Sequence, residues 1–559
     1  MSHPIGGGIH IGKLPAMTGL ANWPALFLAG AVFGVLLNIL ILPMLPTQDG
    51  ALHTYYAQVF ANLLAGHSIY SRSFAIRSVF PPYACHFYLL VGLNHFFSPY
   101  LTERIIACLV ILWTFAGFTR LSKALGKNGI WGCFFVLPFL ANWPLYMGFT
   151  NFALGTATLF FAMGYWLDHV ENYGAKQAVA TAAIIFALAA QHPIPLSLFF
   201  IFVGIELIGS CVLRFLEAAP SPNAHRLISY LRTRQLPILL IFALGLFTSF
   251  WIRTFVERGA FVMNRLSAAE IAKRIASLIS MNEISPVTFE WWLYPIALLS
   301  VALPAAILVV RYQRSRWRDP RVFAVTSLLL FCVVVYLVLP DEVNGAFHTH
   351  RRFSITAIFL MLALGSAAPM ASVTRRTMMV VALIATTVTA GLQAKANREV
   401  IARITPSIKA CLVPPASRLL VARFGTAIYG HPLRYMPDDA APAYWATHCQ
   451  AIFVNSLWLG QAYYPLRTAN GTSPEIGENR AGLAIQRAVL ASDPIPYSPD
   501  VIAIEFFDRG KQEKAAITAL EKRYRFNPFP GVNRDYLYLF RSQPRESGTS
   551  HLPEPHSHD

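Results

Sequence analysis

Charge is what this chain has least of. Only 13% of its 559 residues are Asp, Glu, Lys or Arg, while 55% are hydrophobic and the mean hydropathy is +0.48. That composition excludes intrinsic disorder and argues against a water-soluble globular protein. Acidic residues are the scarcer sign, 28 against 45 basic ones, giving a formal charge of +17. The excess does not indicate nucleic acid, because the cations gather in short loops between apolar runs, as the positive-inside rule places them in membrane proteins. Basic loops of this kind also suit anionic lipid head groups and lipid phosphates. The seven cysteines show no CxxC and no metal-ligand spacing. No internal repeat is present, so the inverted-repeat plan common in transporters has no support. The first apolar run follows a single cation, Lys13, and has no small-residue cleavage site, so it reads as an uncleaved signal anchor.

Long apolar runs are what the sequence does have, and they predict a polytopic α-helical membrane protein with about eleven spans. The spans fall at Trp23–Leu45, Leu101–Thr119, Gly129–Met147, Thr150–Leu167, Gln177–Ala190, Ile194–Phe215, Leu236–Arg253, Trp291–Val310, Arg321–Leu339, Phe353–Pro369 and Thr377–Leu392. The apolar run Tyr83–Phe97 is short. Treating it as an interfacial helix keeps Arg120, Lys123 and Lys127 inside, together with Arg214, Arg226, Arg232 and Arg234, the cluster from Arg311 to Arg321, and Arg375 and Arg376. The N-terminus is then cytoplasmic, and an odd number of crossings leaves the C-terminal region outside. Residues 1–392 form the membrane domain, with 46–100 as a first outer loop. From Gln393 the composition turns polar. Strands at Ser417–Phe424, Val501–Phe507 and Tyr536–Phe540 with an amphipathic helix at Lys511–Arg525 predict a small extracytoplasmic α/β domain over 393–541. Residues 542–559 lack any apolar pattern and read as a disordered tail. Cys411 and Cys449 lie in the outer region, either as a disulfide or as two free thiols.

The chain is organised around Thr47-Gln48-Asp49-Gly50, where the first span ends and a carboxylate follows at once. The next residues repeat at helical spacing, with Leu52, Tyr55, Tyr56, Val59, Phe60, Leu63 and Leu64 on one face and His53, Thr54, Gln58 and Asn62 on the other, up to a capping Gly66. A helix lying flat at the interface would fix Asp49 and His53, one turn apart, at one height above the membrane. The same pattern also fits a plain N-cap for Asp49. Other ionisable residues reach the same side of the membrane: Arg104 at the start of a span, His192 before Pro193, Glu283 and Glu290, and Asp341-Glu342 with His348, His350, Arg351 and Arg352. A carboxylate with nearby His and Arg suits proton removal from an acceptor hydroxyl and stabilisation of a departing lipid phosphate. Each has a plainer reading: His192 can close a helix, and Arg351 and Arg352 can be snorkelling anchors. Glu206, in mid-span, needs a partner such as Arg253 or a water-filled path.

The order of these features resembles the GT-C superfamily of integral membrane glycosyltransferases. Asp opening the first outer loop, Pro81-Pro82, Arg104 at the next span, His192-Pro193 and His350-Arg351-Arg352-Phe353 at a late span carry the likeness, which covers the chain through about Leu392. It resembles the protein mannosyltransferase-like, aminoarabinose-transferase-like and arabinofuranosyltransferase-like group. Gln48-Asp49-Gly50 departs from the family's common Asp-Glu or Asp-x-Asp pattern, so a second catalytic carboxylate and a divalent metal stay open. The resemblance implies inverting transfer of a hexosyl or pentosyl group from a polyprenyl-phosphate donor to a lipid, glycan or protein acceptor outside the inner membrane. Asp49 would be the general base. Arg104, Arg351 or Arg352 would hold the phosphate, and His53, His192, His348 or His350 would line the donor and acceptor site. Two other classes stand beside it: a transporter or flippase, suggested by Glu206 and Asn38 inside spans, and a non-catalytic envelope assembly factor acting through its outer domain.

Overall fold

The computed structural model describes residues 23–66, 68–71, 73–78, 81–126, 128–217, 240–241, 243–252, 266–288, 292–316, 318–341, 348–409, 415, 417–424, 441–453, 466–468, 501–506, 524–526 and 537–542. In chain order its helices are α1 (Trp23–Leu40), α2 (Gly50–Leu64), α3 (Ser68–Ser71), α4 (Cys85–Leu93), α5 (Pro99–Leu125), α6 (Trp143–Met147), α7 (Thr150–His169), α8 (Ala175–Gln191), α9 (Pro193–Glu217), α10 (Ala243–Ile252), α11 (Ala268–Ile279), α12 (Leu293–Arg316), α13 (Pro320–Val338), α14 (Thr349–Ala367), α15 (Ser372–Lys409) and α16 (Ala441–Cys449). Among the described residues six helices, α1, α5, α9, α12, α13 and α15, are long and apolar enough to cross a membrane.

Three expectations change in detail. The span expected over Gly129–Met147 is not one helix. It is a 3-10 helix, Gly129–Phe139, followed by the single turn of α6, because Pro138 interrupts the first piece and Asn142 caps the second through a bond from the Leu145 N–H. Helix α14 begins at Thr349, so His350, Arg351 and Arg352 stand in its first turn and not in a loop. Helix α15 runs 38 residues without a break at Gln393. Met1 to Asn22, the tail beyond residue 542, Arg253 and Cys411 lie outside the described residues, as does the expected helix Lys511–Arg525 except for Tyr524 and Arg525, which belong to a strand instead.

Close approach of backbones builds the core around α5 and α7. A Cβ on Gly164 of α7 would lie 2.9 Å from backbone atoms of Arg120 and Leu121, and one on Gly117 of α5 would meet the Ala157 carbonyl. Small residues at these crossings let membrane helices pack by dispersion where no hydrophobic drive acts between them. Mid-helix polar groups are satisfied inside the bundle: Glu206 accepts from Trp166 Nε1 at 3.2 Å and from Ser210 Oγ at 2.8 Å, and Asn38 Nδ2 donates to the Ala390 carbonyl at 3.3 Å.

The C-terminal strands are β2 (Arg418–Phe424), β3 (Ile452–Phe453), β5 (Val501–Phe506), β6 (Tyr524–Phe526) and β7 (Leu537–Ser542); β1 (Phe74–Ile76) lies in the first loop and β4 (Leu466–Thr468) follows β3. They form a mixed sheet in the order β3-β2-β5-β7-β6, with β2 parallel to both β3 and β5 and β7 antiparallel to β5 and β6. The β2–α16–β3 crossover is the strand–helix–strand unit expected of an α/β layer. This region is bound to the membrane helices by tyrosines. Tyr55 donates to the Ala451 carbonyl at 3.0 Å and accepts the Phe453 N–H at 2.8 Å, and Tyr56 donates to the Phe453 carbonyl at 3.3 Å. The face of α2 expected to rest on lipid is thus docked on protein: Tyr55, Tyr56, Val59 and Phe60 are buried, and so is Thr54. Antiparallel pairing of β1 with β4 adds a second seam.

Candidate active site

Asp49 occupies the N-cap position of α2 but makes no side-chain capping bond. Capping therefore does not account for its half-buried carboxylate. Its backbone is held by α6: the Gln48 N–H donates to the Tyr146 carbonyl at 3.1 Å and the Asp49 N–H to the Met147 carbonyl at 3.0 Å. Gly148 closes α6 at φ +80°, and a Cβ there would lie 3.0 Å from Asp49 N and closer still to Gly50 N. Only glycine combines that left-handed conformation with that contact.

Behind the Asp49 turn sits a residue that the sequence reading passed over. Glu103, 5% exposed, accepts from Thr47 Oγ1 at 2.5 Å and from the Tyr444 hydroxyl at 3.1 Å. Gly50 packs directly on the same carboxyl. The available signal was an acid just past the first turn of an apolar helix, a position expensive to bury without partners. Its neighbour Arg104 is placed elsewhere: its guanidinium donates to the carbonyls of Tyr100 at 3.2 Å, Leu40 at 2.6 Å and Leu42, capping the end of α1.

His53 faces His86 edge-on, with ring centroids 5.3 Å apart. Burial pushes the His53 imidazole down to about 4, and burial plus the neighbouring His53 holds His86 well below its usual range. Both are neutral at physiological pH and act as hydrogen-bonding groups rather than cations. The His86 N–H donates to Asn151 Oδ1 at 2.8 Å, tying α4 to the start of α7.

The cations of the first turn of α14 take separate places. Arg352 Nη1 lies 2.7 Å from His192 Nε2, and its guanidinium lies over the rings of Phe149, at 4.7 Å, and Phe152, at 5.7 Å. Arg352 carries only donors, so at this distance His192 Nε2 accepts from the guanidinium, while Nδ1 faces the Ile194 N–H at 3.2 Å. His192 thus fixes the orientation of the guanidinium, a group whose planar fork of donors suits an anionic oxygen. Arg351 Nε is 3.3 Å from Glu283 Oε2, with its guanidinium 5.1 Å over Trp143. His348 Nδ1 and His350 Nδ1 share Asp341 Oδ1 at 3.3 and 3.0 Å, and those two hydrogen bonds hold the Asp341 carboxyl well below the ordinary range.

Of the residues singled out, the fold brings Asp49 and His53 together on α2, and Arg352 and His192 together across α14 and the α8–α9 break. Gly148-Phe149 links the groups, with Gly148 against Asp49 and Phe149 beneath Arg352. Among the described residues no set of three His, Cys, Asp or Glu is arranged to hold a metal ion.

The fold has a counterpart among solved structures. It is similar to the crystal structure of ArnT from Cupriavidus metallidurans bound to undecaprenyl phosphate, at TM-score 0.51 and 10% identity over 93% of this chain and 98% of that one. The arabinofuranosyltransferase AftD from Mycobacteria, solved by cryo-EM, shares 13% identity over 94% of this chain and 40% of its own, at TM-score 0.44. No protein-family model and no curated protein sequence matches the chain.

Proposed function

We propose that the protein is an inverting glycosyltransferase that moves a hexosyl or pentosyl group from a polyprenyl-phosphate donor to an acceptor hydroxyl on the outer side of the inner membrane. One observation carries this reading. A carboxylate that does not cap its helix, Asp49, is joined through Gly148-Phe149 to the Arg352 guanidinium, which His192 orients. Asp49 takes the proton of the acceptor hydroxyl, whose oxygen forms the new bond to the anomeric carbon. The anomeric C–O bond to phosphate breaks, and the lipid phosphate leaves with the bonding pair. Arg352, oriented by its hydrogen bond to His192 Nε2, receives the charge that develops on its oxygens. Arg104 is left out of this role because its guanidinium is committed to the end of α1. His348, His350 and Arg351, tied to Asp341 and Glu283, set the position of the first turn of α14 and hence of Arg352.

The topology that goes with this reading has about eleven crossings, a cytoplasmic N-terminus, the membrane domain over 1–392 and an extracytoplasmic domain over 393–541. The disulfide at Cys449 supports an outer, oxidising location for that domain. Transport has less to rest on, since Glu206 and Asn38 are both engaged within the bundle.

The test compares, by mass spectrometry, lipid extracts of cells carrying the wild type, a deletion or a normally folded Asp49→Asn variant. A polyprenyl-phosphate sugar accumulating in both the deletion and the variant supports transfer with Asp49 as base. Accumulation in the deletion alone keeps the enzyme and removes Asp49 from that role. Accumulation in neither overturns the glycosyltransferase reading.

A further inference from the structure

Residues of helices α1 and α15 line an open groove of about 730 Å³. Its walls are apolar or small: Phe27, Gly30, Gly34 and Val35 on α1, Leu383 and Gly391 on α15. Gly30 and Gly34 have the G-x-x-x-G spacing that often seats a neighbouring helix. Here a Cβ on Gly30, Gly34 or Gly391 would meet nothing within 4 Å. At the Asn38 end the groove shares Val35, Asn38 and Ala390 with a narrow inner cavity that also reaches Tyr146, Gln393 and Asn397. Gln393 and Asn397 are 3% and 2% exposed, yet Gln393 Nε2 and Asn397 Oδ1 have no hydrogen-bond partner. A buried donor and a buried acceptor are thus left unmet in the narrow cavity at the end of the groove, a costly state unless something fills it.

The lining contains no charged residue. What enters must therefore be apolar along the groove and neutral but hydrogen-bonding at the neck. One turn beyond the neck residue Ala394, the exposed Arg398 stands on α15, with the exposed Lys395 beside it. A chain, then ester or hydroxyl oxygens, then an anion is the sequence of groups in an anionic glycerophospholipid, and the groove volume falls in the range of sites for single lipophilic ligands. We propose that α1 and α15 form a binding site for one anionic glycerophospholipid. An acyl chain lies along Gly30, Gly34 and Gly391, an oxygen of the glycerol region meets Gln393 and Asn397, and the phosphate faces Arg398. The site is separate from the Arg352–His192 pair and does not depend on the transfer reaction.

The experiment is native mass spectrometry of the delipidated full-length protein titrated with palmitoyl-oleoyl phosphatidylglycerol. The wild type is expected to bind one copy in preference to further copies. Gly34→Leu, whose Cβ meets no atom within 4 Å, and Gln393→Leu should each weaken that first binding at least fivefold at unchanged unfolding temperature. If Gln393→Leu fails to fold, Gly30→Leu takes its place, since it too meets open space. Equal binding by the wild type and the groove variants overturns the proposal. So does a change of Gly34→Leu from dimer to monomer in light scattering with no change in bound lipid, which would make the groove a helix interface between copies.

Discussion

The Tyr444 hydroxyl lies 3.1 Å from Glu103 Oε2 and also contacts the Leu45 carbonyl, so one side chain of the C-terminal region touches both elements that flank the Asp49 turn. Thr47, two residues before Asp49, binds the other Glu103 oxygen at 2.5 Å, and Gly50 packs on the same group. The turn that carries the proposed base is thus clamped on both sides of Asp49 by a single buried acid, and that acid is held from the far end of the chain.

Tyr444→Phe keeps the ring and removes the hydroxyl, leaving a buried carboxyl oxygen short of one donor. The expected cost is about 1–3 kcal/mol, the range for an orphaned buried polar group. A lowered unfolding temperature, with reduced turnover in lipid-donor assays, is the predicted result. An unchanged midpoint would show that the Tyr444–Glu103 contact does not support the turn.

Gly148→Ala places a methyl group where Asp49 and Gly50 already lie, at φ +80°. Strain of this kind typically costs more than about 1 kcal/mol. Because the displaced atoms are those of the Asp49 backbone, activity should fall further than stability alone requires. Turnover per folded molecule, measured after correction by thermal unfolding, separates the two effects.

Arg352→Ala should lower turnover by about 10²–10³-fold, as loss of one preorganised donor to developing negative charge does elsewhere. Arg352→Lys should recover only part of this, since an ammonium cannot reproduce the planar seat over Phe149 and Phe152. Arg104→Lys should act mainly on stability. Steady-state kinetics on the same three purified variants would reverse this assignment if Arg104→Lys proved the most damaging to turnover.

His53 links stability to pH. Its folded imidazole is pushed down to about 4, whereas an unfolded histidine titrates near its ordinary value of about 6.5. Between those values the unfolded chain binds the extra proton, so stability falls as pH drops from about 6.5 towards 4 and is level above that window. His53→Gln should flatten this part of a plot of unfolding midpoint against pH. Equal slopes for the variant and the wild type would mean that the ring is not shielded from water.

Much of the membrane part was legible because hydropathy and length dictate spanning helices with little help from tertiary contacts. Trp23 to Leu40 and Pro320 to Val338 are read from composition alone. The piece that misled, Gly129–Met147, is apolar throughout, and hydropathy does not register that Pro138 and the Asn142 cap divide it. Asp49, His192 and Arg352 could be named because charged or aromatic-polar residues at span ends are few. Their pairing could not, since it depends on how α14 sits against α7 and on Phe149 lying under a guanidinium. Glu103 was hidden by adjacency: beside Arg104 it looks like half of a local ion pair, while its partners are at positions 47 and 444.

The seam between α2 and the C-terminal region also sets an order of events in biogenesis. Tyr55 finds its partner Ala451 across 396 residues, and β1 waits for β4 in the same way. Contacts so distant along the chain form late, after every intervening helix has been inserted. The Asp49 turn is completed from the same distant segment through Tyr444, so a chain that stopped short of Tyr444 would carry the proposed base without the clamp around it. The surroundings of Asp49 are thus complete only after the segment around Tyr444 has been made and has docked.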